Sequence, residues 1–203
     1  QVIHQLPGHH VIAIEQRGHG RSEGTGFDSW ADFGRDQAAM AAALDLQGAV
    51  GVGHSMGANV AMIYAGVRPA RVRRLVNLEG FGLPHTEASQ APDRIGKWLD
   101  QLREPAEFAD YADTAELAAR IMRRNPRLTP ERAAYVAECW SAPKAGDGVR
   151  LLTDPAHKLV NPYLYRREEM EACWRRIEAP VLLVVGAQSD LVARLGGEGG
   201  VEM

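Results

Sequence analysis

The 203-residue chain is long enough for one sizeable core and lies at the upper end of a single ordinary domain. Its composition, with 45% hydrophobic and 24% charged residues, is typical of a globular protein and argues against intrinsic disorder. A formal net charge of −3 gives no electrostatic reason to expect nucleic acid or an anionic membrane surface as a partner, and no apolar run approaches the length of a membrane span.

Only two cysteines occur, Cys139 and Cys173, and each falls within a helical pattern. Free thiols are therefore expected, which fits a reducing compartment such as the cytoplasm. The cysteines and histidines show no metal-ligand spacing, and there is no glycine-rich dinucleotide loop with an acidic partner. The sequence therefore predicts neither a metal nor a cofactor, and it leaves the oligomeric state open.

The first third of the chain shows a strand, a helix and a second strand in succession. His9–Glu15 is a short apolar run and is predicted to be a buried parallel strand, which continues into the glycine-containing loop Arg17–Ser22. Ser29–Leu46 carries apolar residues at helical spacing, and Gly48 supplies a natural C-cap for that helix. Ala49–Gly53 is the next short apolar run and is predicted to be a strand.

A sharp turn follows this second strand at Gly53-His54-Ser55-Met56-Gly57, and an alanine-rich helical pattern begins directly after it. A serine on a strand-to-helix turn has a strained backbone, and the flanking glycines let neighbouring backbone pass without clashing Cβ atoms. The turn exposes the Ser55 hydroxyl, and the Met56 amide lies at a helix N-terminus, where a developing oxyanion is stabilised. Ser55 is therefore the candidate nucleophile and Met56 the candidate oxyanion donor; the alternative is a structural serine at a helix start.

The rest of the chain alternates a strand, a long helical stretch and a strand. Val72–Leu78 is predicted to be a strand, and residues 179–186 restore the strand pattern before the turn Ala187-Gln188-Ser189-Asp190. Residues 85–177 show no strand pattern, but they contain amphipathic helical patterns at 95–102, 114–124, 129–140 and 165–177. Strands separated by helices predict parallel βαβ units, so the fold class is α/β, with a mostly parallel sheet flanked by helices.

The all-helical stretch is interpreted as a cap. It is inserted between two sheet strands, and open α/β sheets bind ligands at the carboxyl edge that such an insertion would cover. We therefore expect residues 1–84 to form the first part of the core, 85–178 a helical cap or lid, and 179–203 the resumed core.

Three pieces of the sequence together resemble the α/β-hydrolase superfamily, of the cap-bearing esterase and C–C-hydrolase type. In the family's order, they are Val11–Ile14 with Arg17–Ser22, then Gly53–Gly57, then Val181–Gly186 with Asp190. The resemblance implies a Ser–Asp–His triad in that chain order, with Asp190 as the acid. Glu79 is the alternative acid, because some relatives place the acid after the strand that follows the nucleophile's helix.

Several of these residues also have ordinary structural interpretations. For Asp190 the alternative is a turn former or a helix N-cap, and for Glu79 a surface turn residue or a contact with the cap is the more ordinary interpretation. His54, next to the nucleophile, and Phe81, just past a strand end, are candidates for the wall of a substrate pocket, with core packing as the alternative for Phe81.

The resemblance also predicts parts that the 203 residues do not contain. The family's second oxyanion donor lies on a loop upstream of Gln1, and its catalytic histidine follows a further strand and helix beyond the acid. The seven histidines all precede Asp190: His4, His9, His10, His19, His54, His85 and His157. We therefore expect an internal piece of a longer hydrolase, truncated at both ends, with the histidine beyond the C-terminus and the piece alone inactive.

The predicted function is that of a cofactor-free serine hydrolase whose partner is a small carboxylic ester or related acyl compound. Acyl transfer, C–C bond hydrolysis and cofactor-free peroxidation use the same constellation of residues and stay open. A catalytically silent ligand-binding or interaction module of the same fold is the alternative from another functional class.

Overall fold

The structure is a computed structural model that describes residues 3–24, 29–104 and 107–194. It contains two units, which we call the sheet unit (residues 28–103 and 160–203) and the hairpin unit (residues 1–27 and 104–159). The predicted division into a core, a cap and a resumed core stays a prediction, and its last residues, 195–203, lie outside the described part of the chain.

The helices and strands follow one another in the predicted alternation over the middle of the chain. In chain order they are α1 Trp30–Ala43, β1 Ala49–His54, α2 Met56–Val67, β2 Val72–Leu78, α3 Ala91–Arg103, α4 Thr114–Arg124, α5 Pro130–Trp140, β3 Ser141–Pro143, β4 Val149–Leu151, α6 Arg167–Trp174, β5 Val181–Val184 and α7 Asp190–Arg194. Short 3-10 turns, such as Pro69–Arg71, connect some of them.

The sheet unit is built on three parallel strands in the order β1–β2–β5. His54 lies opposite Leu78 at the end of β1 and β2, and Leu78 lies opposite Val184 at the end of β2 and β5. Because the strands are parallel and end in register, the residues that follow each strand meet at one edge of the sheet. The predicted α/β class with a parallel sheet is confirmed.

Helix α2 is the most buried element of the sheet unit. Its sequence is apolar on every side, which is typical of a helix enclosed by other elements, and Ala58, Val60 and Met62 are at most 1% exposed. It packs against α1, α6 and the first two strands. Its apolar side chains join Leu75 of β2 and Trp174 of α6 in one core, which holds the helix firmly against the sheet.

Helix α1 begins where the sequence predicts and ends earlier. The Ser29 side chain accepts a hydrogen bond from the Asp32 amide, and the Asp32 carboxylate accepts one from the Ser29 amide, so a capping box fixes the start. The helix ends at Ala43, because Asp45 takes a left-handed conformation with φ of 45°. Gly48, predicted as the C-cap, has φ of 59° and turns the chain into β1 instead.

The hairpin unit contains a helix pair and a feature that the sequence prediction missed. Helices α4 and α5 pack together through a small core around Leu117 and Ala133, and α5 starts at Thr129 and Pro130 as predicted. The expectation of no strand between residues 85 and 177 is wrong, since β3 and β4 form an antiparallel pair. Each has three residues, which is too short for a periodic pattern to show.

The predicted parallel strand at His9–Glu15 is also wrong. These residues have no strand conformation, and Ile12 and Ile14 are 38% and 50% exposed. A strand is stable only when its backbone groups pair with a neighbour, and no described strand pairs with this segment. The loop after it bonds within the hairpin unit instead, where the Gly20 amide donates to the Leu152 carbonyl oxygen at 2.8 Å.

Candidate active site

Ser55 lies on a strained turn between β1 and α2, as the sequence predicts. Its φ of 51° and ψ of −116° lie outside the ordinary regions for a residue with a Cβ, and the residue is exposed. A Cβ on Gly53 would lie only 2.5 Å from Ala58 Cα, so the start of α2 can pass this close only because residue 53 is glycine. The Ser55 side chain forms no capping hydrogen bond, which leaves its hydroxyl available.

Hydrogen bonds on both sides hold the backbone of Ser55 in this strained conformation. The Ser55 amide donates to the Leu78 carbonyl oxygen at 2.8 Å, which continues the β1–β2 ladder. The Ser55 carbonyl oxygen accepts from the backbone amide of Asn59 at 3.2 Å and from its side-chain Nδ2 at 3.0 Å. The surrounding structure therefore fixes the geometry of the turn, as a strained residue requires.

Two buried asparagines, which the sequence analysis did not single out, hold the loop after β2 beside this turn. Asn77, fully buried, donates from Nδ2 to the Gly80 carbonyl oxygen at 2.8 Å and accepts from the Gly80 amide at 2.9 Å. Asn59 accepts from the Gly82 amide at 2.7 Å. The signal in the sequence was an amide side chain within an otherwise apolar strand or helix, since buried polar groups need partners.

A cavity of about 380 Å³ opens beside Ser55 in the sheet unit. It is lined by Trp30, Ser55, Met56, Asn59, Glu79, Gly82, Leu83, Ser189, Asp190 and Leu191. The candidate nucleophile, the candidate oxyanion donor and both candidate acids therefore share one cavity, although they come from three separate parts of the chain. Met56 is the first residue of α2, so its amide lies at the positive end of the helix dipole.

Asp190 is the first residue of α7 and forms no side-chain hydrogen bond or ion pair within the described part of the chain. The capping contact at this helix comes from its neighbour, because Ser189 Oγ accepts from the Leu191 amide at 3.2 Å. The Asp190 carboxylate is therefore not used as a cap. It is left available at the cavity to accept a hydrogen bond from another group.

Glu79, in contrast, is fully engaged. It follows β2 with φ of 60°, and its carboxylate accepts from the Gly186 amide at 2.5 Å and from Ser189 Oγ at 2.6 Å. These two donors, the Ser189 hydroxyl first, hold the pKa of Glu79 below its usual value, because they stabilise the charged form. Both candidate acids are thus next to Ser189, one bound to it and one following it.

His54 and Phe81, the candidates for the pocket wall, are not among the described residues that line this cavity. His54 is exposed. Phe81 is buried against the Trp174 ring, with the ring centroids 5.0 Å apart, and the Arg167 guanidinium stacks 4.7 Å from its centroid. Phe81 therefore packs in the core, and Gly82 and Leu83 line the cavity at this point of the loop.

None of the described residues that line this cavity is a histidine. In the hairpin unit, His19 donates from Nδ1 to the Arg17 carbonyl oxygen at 3.0 Å and stacks on the His157 ring. In the sheet unit, His85 Nδ1 lies 3.0 Å from a Glu168 carboxylate oxygen.

Neither a metal-binding cluster nor a membrane-spanning helix occurs among the described residues. Within the described ranges, no three histidine, cysteine, aspartate or glutamate side chains are grouped so that they could hold a metal ion. None of the helices in those ranges combines the length and the apolar character needed to cross a membrane.

A serine on a strained strand–turn–helix, with acidic residues after the neighbouring parallel strands, defines a nucleophile elbow in an α/β fold. The chain belongs to the alpha/beta hydrolase fold family, whose model matches residues 2–197. The suspected membership is thereby confirmed.

The relatives of the chain carry several different activities. It is 30% identical over 185 residues to 2-(acetamidomethylene)succinate hydrolase from Mesorhizobium japonicum, covering 90% of this chain and 63% of that protein. It is 47% identical over 91 residues to a non-heme chloroperoxidase from Streptomyces lividans, covering 43% of this chain and 33% of that protein.

Among solved structures, the thioesterase domain from the curacin biosynthetic pathway is similar, with a TM-score of 0.72 and 28% identity. That match covers 87% of this chain and 63% of the domain. The chain thus spans less than two thirds of the length of each of these three proteins.

Proposed function

We propose that this chain carries the nucleophile and the acid of a serine hydrolase that acts on a small carboxylic ester or related acyl substrate. The observation that carries the proposal is the left-handed Ser55, held by hydrogen bonds on a glycine-flanked turn, in a cavity shared with Met56 and Asp190. A strained, exposed serine that makes no capping bond has no evident structural purpose.

In the proposed reaction, Ser55 Oγ attacks the substrate carbonyl carbon while a histidine accepts the hydroxyl proton. The carbonyl oxygen becomes an oxyanion, which the Met56 amide and one upstream amide stabilise. Asp190 accepts a hydrogen bond from the histidine, fixes its tautomer and stabilises the imidazolium. The histidine then protonates the leaving group, and water, activated by the same histidine, releases the acyl group from Ser55.

The histidine is proposed to lie beyond Met203, and Glu79 is the alternative acid. The absence of a histidine among the described residues that line the cavity supports an external base. Cys139 and Cys173 are free thiols, which supports a reducing compartment, and we propose the cytoplasm.

The substrate class rests on the cavity and on the relatives. A cavity of about 380 Å³, with apolar walls from Trp30, Leu83 and Leu191, suits a small acyl group. The relatives include a hydrolase of an acetamidomethylene succinate and a thioesterase domain, and both names denote the hydrolysis of acyl-type compounds. Acyl transfer, C–C cleavage and cofactor-free peroxidation are outcomes that a substrate screen would separate.

A fluorophosphonate probe tests the nucleophile. We expect the protein encoded by the whole reading frame to be labelled, Ser55→Ala to abolish labelling, and Ser89→Ala, at an exposed serine of a 3-10 turn, to be labelled normally. Labelling that persists in Ser55→Ala would refute the assignment of Ser55.

A second assay tests the need for an external base. The 203-residue chain alone should hydrolyse p-nitrophenyl acetate no faster than its Ser55→Ala variant. Turnover that depends on Ser55 in this chain would show that the base is within it. If the whole reading frame ends at Met203 and the chain is inactive, the silent ligand-binding module becomes the correct function.

A further inference from the structure

Glu79 forms three hydrogen bonds to a distant part of the chain, one to the end of β5 and two to the turn that follows it. The Glu79 amide donates to the Val184 carbonyl oxygen at 3.0 Å, which extends the β2–β5 ladder by one residue. Its carboxylate then reaches past the end of β5, where Oε1 accepts from the Gly186 amide and Oε2 accepts from Ser189 Oγ. The backbone and side chain of one residue therefore hold a segment more than a hundred positions later in the sequence.

The segment held in this way, which we call the 186–189 turn, leads directly into Asp190. The Ser189 amide donates to the Gly186 carbonyl oxygen at 2.9 Å and closes the turn. Ser189 Oγ donates to Glu79 and accepts from the Leu191 amide, so a continuous chain of hydrogen bonds connects Glu79 with the first turn of α7. Asp190 lies between Ser189 and Leu191, so the hydrogen bonds on either side of it fix its backbone.

Helix α7 has little means of fixing Asp190 by itself. It has five residues, Asp190–Arg194, and a helix of this length is unstable unless tertiary contacts hold it. Leu191 supplies one such contact, since it is 6% exposed and packs in the core of the sheet unit. The Asp190 carboxylate has no hydrogen bond of its own within the described residues, so its position depends on the Leu191 contact and on the hydrogen bonds of Glu79 to the turn, which we call the clamp.

The chemistry of the clamp calls for a carboxylate rather than an amide. One oxygen of Glu79 faces an N–H donor and the other faces a hydroxyl donor. A glutamine can direct its Oε1 at the Gly186 amide and its NH₂ group at Ser189 Oγ, but this reverses the bond to Ser189 and removes the negative charge. Charge strengthens both hydrogen bonds, since a charged acceptor binds a donor about twice as strongly as a neutral one.

We propose that Glu79 is a positioning residue, whose carboxylate fixes the 186–189 turn and thereby holds Asp190 beside Ser55. This inference rests on the proposed function, because the importance of Asp190 follows from its proposed role as the acid. It assigns Glu79 a different role from that of the alternative acid, since both of its oxygens are bound to the turn.

Hydrogen exchange tests the clamp on the 203-residue chain itself, with no need for activity. In Glu79→Gln, the exchange protection of the Gly186 amide should fall about 10-fold, because its hydrogen bond to a charged acceptor becomes a bond to a neutral one, which is about half as strong. Amides of β1 should exchange as in the wild type. Glu138→Gln, at an exposed carboxylate on α5, is the matched control and should leave the Gly186 amide protected.

Ser189→Ala keeps the experiment decisive if Glu79→Gln does not fold. It removes a single hydroxyl, and it should raise the exchange rate of the Leu191 amide while that of β1 stays unchanged. Unchanged exchange of the Gly186 amide in a folded Glu79→Gln, or of the Leu191 amide in Ser189→Ala, would overturn the proposal.

Kinetics of the protein encoded by the whole reading frame separate positioning from direct catalysis. A displaced acid should lower kcat about 10- to 100-fold in Glu79→Gln, with KM little changed. Combining Glu79→Gln with Ser189→Ala should lower kcat by less than the product of the two single effects, because the two side chains share the bond between Ser189 Oγ and Glu79. In Asp190→Asn, kcat should fall about 10⁴-fold, as expected for removal of a triad acid.

The reverse ranking overturns the inference. If Glu79→Gln lowers kcat about 10⁴-fold while Asp190→Asn lowers it only slightly, Glu79 is the acid. If the effects of Glu79→Gln and Ser189→Ala are additive, the clamp does not act as a unit. A Ser55→Ala variant that keeps its activity would refute the proposed function instead, and the exchange result at the Gly186 amide would still decide the clamp.

Discussion

Replacing Gly53 by alanine tests the close approach on which the serine turn depends. The added Cβ would lie 2.5 Å from Ala58 Cα, 2.6 Å from the Ala58 nitrogen and 2.6 Å from the Gly57 carbonyl oxygen. All three atoms belong to the backbone of the first turn of α2, so no side-chain rotation relieves the clash. The start of the helix must instead move away from β1, and Ser55 lies between the two elements.

The size of the effect follows from these distances. Carbon atoms in contact normally lie about 3.5–4.0 Å apart, so the helix start must move by about 1 Å. Overpacking of a core costs about 1–3 kcal/mol, and we expect about 3 kcal/mol here because the obstacle is a helix enclosed on several sides. For a chain of this size each kcal/mol lowers Tm by about 2–4 °C, which gives a decrease of about 6–12 °C.

Gly96→Ala is the matched control, and thermal unfolding followed by circular dichroism is the assay. Gly96 lies within α3, and a Cβ there would meet no atom within 4 Å. Alanine should therefore stabilise the chain by about 0.5–1 kcal/mol through its helix propensity. If Gly53→Ala unfolds at the wild-type temperature, or at that of Gly96→Ala, the account of the serine turn as a close contact is wrong.

Three further predictions concern the polar groups around the site. Asn77→Ala leaves the buried amide and carbonyl of Gly80 without their side-chain partner. Each such group costs about 1–3 kcal/mol, so the free energy of unfolding measured in urea should fall by about 3 kcal/mol. The control Asn125→Ala, at an exposed asparagine, should change it by less than about 0.5 kcal/mol. Burial raises the pKa of Tyr165 above its ordinary value of 10.0. The stability that this shift contributes is intact below pH 10.0 and declines as the pH rises through the raised pKa. Between pH 8 and 11 the urea midpoint of Tyr165→Phe should therefore decline less than that of the wild type. The lowered pKa of Glu79 stabilises the fold above pH 4.5, and this contribution is lost as the pH falls through the lowered pKa; Glu79→Gln should therefore have a flatter acid limb.

Each of these predictions has a result that contradicts it. Equal urea midpoints for Asn77→Ala and Asn125→Ala would show that the bonds to Gly80 contribute no net stability. Parallel alkaline profiles for the wild type and Tyr165→Phe would remove burial of the phenol as the cause. An acid limb for Glu79→Gln as steep as that of the wild type would mean that the clamp is already open in the native protein at neutral pH.

The sequence predicts well those elements whose formation depends on local features. Helices α4 and α5 carry amphipathic patterns longer than ten residues, and their N-caps, Asp113 and Thr129, accept hydrogen bonds from Glu116 and Arg132 as capping residues do. The serine turn is equally local, because strand, glycine spacing and helix lie within one short stretch. These features determine the backbone without reference to distant residues.

Prediction failed where a distant partner decides the conformation. Val11–Ile14 is as apolar as a buried strand, yet a strand exists only when another strand pairs with it, and the described residues offer none. The pair β3–β4 shows the opposite case, in which strands form without an apolar pattern. Three residues on each side are enough for pairing, because the chain reverses between them through Gly146 and Gly148, whose φ values are 90° and 100°. Periodicity measures the local pattern and contains no information about such pairing.

The same distinction explains why the sequence did not reveal the role of residues 77–80 at the site. These four consecutive residues, at the end of β2 and just after it, form hydrogen bonds both to the serine turn and to the turn before Asp190. Leu78 accepts the hydrogen bond from the Ser55 amide, and Asn77 fixes Gly80, whose missing Cβ leaves room for the Ser55 carbonyl oxygen. Glu79, between them, clamps the turn before the proposed acid. A shift of β2 would therefore displace the proposed nucleophile and the proposed acid together, which makes this strand end, rather than the serine turn alone, the element that keeps the candidate site assembled.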